Sequence, residues 1–174
     1  MVLIRKADVT DAGAIGKVSV ESWQTTYRGI MADRVLKRLS VEDRVENWKD
    51  TIQADESTTF VAVDTEEQIG GFLNIAVKES ADSARIGEIT AVYLLENWQG
   101  QGIGKMLLLT GFTCFVEQSI YTVRVEVLSE NDSRLFYEQF GAEMIEKKNI
   151  QIADDVLDLL VYEWKDISSI VKMN

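Results

Sequence analysis

Histidine is absent from the 174 residues, and this removes every Ser/His/Asp triad, every imidazole base and every histidine-containing metal site. Proton transfer is left to carboxylates, tyrosine, lysine or water. Proline is also absent, so each helix end and strand break must come from Gly, Asn, Asp or Ser. The one cysteine, Cys114, cannot close an intramolecular disulfide. It reads as a small buried hydrophobe in a reducing, cytoplasmic setting, and the start Met1-Val2-Leu3-Ile4-Arg5-Lys6 has no long apolar region behind a basic one. The longest apolar candidate, Met106 to Val116, is broken by Thr110, Gly111, Thr113 and Cys114 and is too short to span a membrane. Cations are scarce too: 18 Lys+Arg against 29 Asp+Glu leave a net charge of −11, which argues against nucleic acid and against anionic membranes as partners.

What is present is ordinary for one packed domain over residues 1–174: 46% hydrophobic and 27% charged residues, with no repeat and no Gly/Ser-rich linker. Val2 to Lys6 reads as a strand, and Asp8 or Thr10 can cap a helix carrying Ile15, Val18, Ser22 and Trp23 to about Tyr27. Ser40-Val41-Glu42-Asp43 fits a capping box ahead of the stripe Val41, Val45, Trp48 and Ile52. Phe60 to Val63 and Ile69 to Val77 form a hairpin across Asp64 to Gln68, and Ile86 to Leu95 is a third strand of this region. Met106 to Glu117 is a helix with apolar residues almost all round, expected to be well buried. Val123 to Val127 alternates as a strand, Asn131 opens a short helix with Leu135, Phe136 and Phe140, and strands near Ala142 to Ile150 and Val156 to Trp164 close an α+β or mixed α/β layer.

Three glycines fall within five residues in Gln99-Gly100-Gln101-Gly102-Ile103-Gly104-Lys105, between a strand and a helix start. Backbone N–H groups converge on an anion at such a place, so a phosphate-bearing ligand is expected. A Walker A loop would need Gly where Gln99 stands and Ser or Thr at Met106, and a dinucleotide fingerprint from Gly100 would need Gly or Ala at Lys105. Neither spacing is met.

The pattern Gln-x-x-Gly-x-Gly at Gln99, Gly102 and Gly104 resembles the GCN5-related N-acetyltransferase family. Glu88 to Leu94 is similar to that family's central strand, and Asn131 to Ala142 to its Asn-to-Tyr helix ending in Gly. Where such proteins often have proline after the central strand, Glu96 stands here. The resemblance implies an α+β fold with a mostly antiparallel twisted sheet of six to seven strands flanked by about four helices. It implies transfer of an acetyl group from acetyl-CoA to a primary amine, without a metal.

Site roles follow from the same resemblance. Gln99, Gly100, Gln101, Gly102, Ile103, Gly104 and Lys105 would wrap the pyrophosphate, and Val92, Tyr93 and Leu94 would lie along the pantetheine. A backbone N–H near Val92 would meet the developing oxyanion. Glu88 is the expected base, directly or through water, Tyr137 the acid for the leaving thiolate, and Asn131 a contact to the cofactor arm. Strand alternation puts Glu88, Thr90 and Val92 on one face and Ala91 and Tyr93 on the other. Trp23 and Tyr27 would border the acceptor, with Trp23 also readable as core. The acceptor classes that stay open are a small amine, a polyamine, an amino-sugar compound, and a protein lysine or N-terminus. Other acyl donors, an oxygen acceptor, and a non-catalytic acyl-CoA sensor or interaction module remain alternatives, and a homodimer is compatible with the family. Asp154, Asp155 and Asp158 read as a solvated turn. From Ala91 to Ile120 the only charges are Glu96, Lys105 and Glu117, so the excess acid lies elsewhere and favours a cationic acceptor.

Overall fold

The computed structural model describes residues 1–174 as one seven-stranded sheet with helices on both faces. The strands are β1 (Leu3–Lys6), β2 (Ser57–Val63), β3 (Ile69–Glu79), β4 (Arg85–Leu94), β5 (Val123–Leu128), β6 (Glu143–Ile152) and β7 (Asp155–Trp164). Their spatial order is β1-β2-β3-β4-β5-β7-β6, antiparallel throughout except between β4 and β5. The helices are α1 (Ala12–Thr26), α2 (Asp33–Lys37), α3 (Val41–Ala54), α4 (Ile103–Glu117), α5 (Ser133–Gln139) and α6 (Ser168–Lys172). The short α2 and α6 carry no periodic signal long enough to be predicted, and the other elements lie within a few residues of their predicted positions.

Helix α1 is entered through a 3-10 turn at Val9–Asp11, where the Asp8 side chain accepts from Thr10 N–H and Asp11 accepts from the Asp8 N–H. Ser40 caps α3 by accepting from the Asp43 amide at 3.1 Å. Gly16 lets the two helices meet, since a Cβ there would lie 2.6 Å from the Val45 side chain. Trp48 of α3 then packs edge-on against Phe72 of β3, with ring centroids 5.0 Å apart.

On the opposite face, α4 begins three residues earlier than predicted, because Gly102 in the left-handed region (φ +78°) serves as its N-cap. Only one face of α4 is buried, through Ile103, Leu107, Leu108, Phe112 and Phe115, whereas Met106 is exposed. Each of these large side chains contributes about 1.5–3 kcal/mol by leaving water.

Asp11 is nearly buried and accepts two hydrogen bonds from the Arg5 guanidinium, at 2.8 and 2.9 Å. The hydrogen bond from Arg5 holds the Asp11 carboxyl below its ordinary range. Asp11→Asn is therefore expected to lose about 1–2 kcal/mol at pH 7, scaled down because Arg5 is partly solvated. A depressed carboxylate stabilises the fold above its unfolded pKa of about 3.9 and loses that contribution as pH falls through the folded value. Thermal denaturation of the two proteins should thus differ at pH 7 and converge toward pH 3.

Candidate active site

The site begins with a defect in the sheet. Strands β4 and β5 pair only at Gly87–Val123, Glu88–Arg124 and Ile89–Val125, and beyond these residues they separate. At the point of separation β4 carries a bulge: Asn74 faces Ala91 and Ile75 faces Ile89, leaving Thr90 as the extra residue. A polar cluster anchored on the buried Asn74 and Thr59 holds it there. The Asn74 side chain donates to the Thr90 hydroxyl, Thr90 donates to the Asn74 carbonyl at 3.1 Å, and Thr59 donates to Asn74 Oδ1 at 2.8 Å.

The bulge corrects the expected alternation. One added residue shifts the pleat, so Glu88 shares a face with Ala91 and Tyr93 while Ile89 and Val92 share the other. The Leu95 N–H bonds to the Gly70 carbonyl on the β3 side. Counting back by twos, the backbone groups of Val92 and Leu94 point away from β3, into the gap. Gln99 Nε2 reaches the Leu94 carbonyl there at 3.2 Å.

The glycine loop lies across the same gap. Gly100 (φ +71°) and Gly102 (φ +78°) both take left-handed backbone, and a Cβ on either would project into open space, the space an anion would occupy. No side chain caps α4, and its first intrahelical bond runs from Met106 N–H to Gly102 C=O, which leaves the amides of Ile103, Gly104 and Lys105 free of helical partners. Without proline, the preceding turn is a 3-10 segment at Glu96–Trp98, braced by the Trp98 indole lying flat on Gly70. A Cβ at Gly70 would fall 1.9 Å from the indole, so only glycine admits this contact.

A cavity of about 740 Å³ passes through the gap from the α4 face to the α1 face. Val92, Tyr93, Leu94, Gln99, Gly100, Gly102, Gly104, Lys105, Asn131, Tyr137, Trp23 and Tyr27 all line it. Gln101 instead donates to the Asn97 carbonyl at 2.8 Å, and Ile103 is core beneath α4. Glu88 lies outside the wall and pairs with Lys78 at 2.7 Å. The carboxylate that does line it is Glu126 of β5, paired with Lys148 at 2.7 Å. Its position was visible as a polar residue in an alternating strand, but nothing local indicates that β5 parts from β4 beside it.

Three phenols meet inside. Tyr137 is buried, its ring set edge-on to Trp164 with centroids 5.8 Å apart, and burial pushes its hydroxyl well above the usual phenol range. Tyr27 and Tyr93 share a hydrogen bond of 3.0 Å, and burial raises both, offset in part at Tyr27 by that bond. Asn131 accepts from the Ser133 amide at 2.9 Å, tying α5 to this corner. Of the three aspartates expected in a solvated turn, only Asp154 lies in the turn, paired with Arg34; Asp155 opens β7 and Asp158 lies within it, paired with Lys147.

A parallel strand pair that separates beside a bulge, with a glycine loop and an uncapped helix at its mouth, defines the class of fold. The model of the Acetyltransferase (GNAT) family matches residues 20–142, and the chain belongs to that family of acetyltransferases. It is 32% identical over 170 residues to the uncharacterised N-acetyltransferase YuaI of Bacillus subtilis, covering 98% of this chain and 96% of that one. Among solved structures, its fold is similar to that of the PaiA N-acetyltransferase of Thermoplasma acidophilum in complex with coenzyme A, at TM-score 0.68 and 22% identity over 91% of this chain and 98% of that one. It is likewise similar to yncA, a putative acetyltransferase of Salmonella typhimurium with its cofactor acetyl-CoA, at TM-score 0.72 and 18% identity over 94% and 93%. No helix is long and apolar enough to cross a membrane.

Proposed function

We propose that the protein transfers the acetyl group of acetyl-CoA to a primary amine, the donor entering on the α4 face and the amine on the α1 face. The observation that supports this most directly is the opening between β4 and β5, where the backbone groups of Val92 and the Leu94 N–H, unpaired by β5, run toward the free amides at the head of α4. Acetyl-CoA supplies an activated acyl carbon on a thiol leaving group, together with an anionic tail. The amides of Ile103, Gly104 and Lys105 and the Lys105 ammonium suit that tail, and Val92 and Leu94 suit the amides of a pantetheine arm as a neighbouring strand would. The Val92 N–H is the donor best placed to meet negative charge growing on a carbonyl oxygen in the gap.

Proton transfer divides between two side chains on opposite walls. An alkyl ammonium with pKa near ~10.4 must shed a proton before its lone pair can attack, and Glu126 is the carboxylate on the cavity wall available to receive it, directly or through water. Glu88 stands one step removed, paired with Lys78. As the N–C bond forms and the C–S bond breaks, the sulfur leaves as thiolate, and Tyr137, held protonated by burial, is the group that returns a proton to it.

Thiol release on mixing the protein with acetyl-CoA and a panel of amines tests the proposal. Acceptor-dependent release supports it, whereas coenzyme binding without release across the panel would favour an acyl-CoA sensor. Gly102→Val places a branched side chain in the anion cradle and in strained backbone, and it is expected to raise KM for acetyl-CoA by about tenfold or more, the equivalent of about 1.4 kcal/mol. Initial-rate kinetics at saturating amine give that number directly.

A further inference from the structure

The half of the cavity on the α1 face is lined mainly by aromatic and aliphatic side chains. Its walls are the rings of Trp23, Tyr27 and Tyr93 and the aliphatic side chains of Leu128, Ile152 and Leu159. Among the polar groups at this end, the Tyr27 and Tyr93 hydroxyls bond to each other across 3.0 Å and Asn131 Oδ1 accepts from the Ser133 amide, which leaves Thr26 and the Asn131 amide nitrogen as the polar groups facing a ligand. Charged residues on the whole wall are limited to Lys105, on the glycine-loop side, and Glu126, the carboxylate assigned above to the reacting amine and paired at the surface with Lys148. Behind the aromatic wall, the Arg44 guanidinium stands 4.6 Å from the centre of the Trp23 ring.

Resting on the acetyl-transfer reading above, we infer that the acceptor is a primary monoamine with an apolar body, aromatic or branched aliphatic. The net charge of −11 attracts cations to the protein as a whole, but the wall itself has no free carboxylate to receive a second ammonium. A polyamine or an amino sugar would strip water from several charges or hydroxyls against a wall with too few polar side chains to replace it. An apolar body instead displaces water from apolar surface. The same wall, with Arg44 behind it, disfavours the ammonium form and so favours the neutral amine that can attack. This chemistry is shared by a free amine and by a peptide whose first residue is apolar, and both belong in the test.

Thiol release from acetyl-CoA is compared for 2-phenylethylamine, 3-methylbutylamine, a tripeptide beginning with leucine, spermidine and kanamycin. The expected result is a kcat/KM for the best apolar amine at least about tenfold above that for spermidine and kanamycin, and the order of the tripeptide against the free amines identifies the source. Ile150, at the cavity wall on the exposed edge strand β6, is a place where a carboxylate can be added without opening the core. Ile150→Glu should narrow the ratio toward spermidine by about threefold or more through KM, and an unchanged ratio in a folded variant would count against discrimination by this wall. Spermidine or kanamycin used as well as the apolar amines would overturn the inference while leaving acetyl transfer intact. Calorimetric titration of N-acetyl-2-phenylethylamine and N-acetylspermidine in the presence of coenzyme A separates the two ideas. If no amine releases thiol, acetyl transfer fails, and preferential binding of the apolar product still supports the inference; equal or absent binding overturns it.

Discussion

Replacing Tyr137 with Phe is expected to lower kcat by about 10²-fold, the usual contribution of a positioned acid, with little change in Tm or in affinity for coenzyme A. The ring, not the hydroxyl, holds Tyr137 in place: it packs edge-on against Trp164 and beside Phe136, with centroids 5.8 Å away in both cases. Its hydroxyl faces the cavity and serves no hydrogen bond that anchors another element, so removing it orphans no buried partner. A structural tyrosine would show the reverse pattern, a lower Tm with kcat preserved. Because burial raises the phenol, the wild-type rate should not decline between pH 7 and 9 through loss of this proton. Single-turnover rates with thermal denaturation on the same samples check both parts, and a kcat within about threefold of wild type would transfer the acid's role to solvent.

Glu126→Gln should reduce kcat/KM by about 10²-fold at pH 7, and the deficit should shrink as pH approaches the amine's own pKa near ~10.4. A base on the protein matters only while the acceptor arrives as ammonium, and above that pH solvent has already removed the proton. The signature is a convergence of the two pH profiles at high pH, which loss of the Glu126–Lys148 pair alone would not produce, since that pair is half-exposed and worth at most about 1 kcal/mol. Glu88→Gln, which breaks an exposed pair with Lys78 outside the cavity, is the control that decides between the two carboxylates. If Glu88→Gln gives the converging profile and Glu126→Gln does not, the proton leaves through the β4 residue by way of water.

The sequence made much of this fold legible because its cues are local. Asp8 and Ser40 announce helix starts, Asp64 to Gln68 announces a hairpin, and the spacing of Gln99, Gly102 and Gly104 marks the loop at the head of α4. What it hid depends on two strands at once. Alternation through Glu88, Thr90 and Val92 assumes an unbroken pleat, and the bulge that breaks it is set by Asn74 on the neighbouring strand, sixteen positions away from Thr90. The place of Glu126 on the wall is hidden for the same reason, because a gap between β4 and β5 is a relation between strands and not a property of either. The apolar half of the cavity wall is assembled from α1, β5, β6 and β7, so its character emerges only when Trp23, Leu128, Ile152 and Leu159 are brought together.

The indole of Trp98 on Gly70 has a bearing on how the molecule comes apart. In a chain with no proline, the turn between β4 and the glycine loop has no intrinsically restricted φ to keep it ordered when the rest of the sheet loosens. Its shape is borrowed from the start of β3, against which Trp98 lies, and from the Gly70 carbonyl that receives the Leu95 amide. The glycine loop and the β2–β3 hairpin therefore belong to one cooperative unit, and the loop opens when the hairpin does instead of fraying as an independent surface loop.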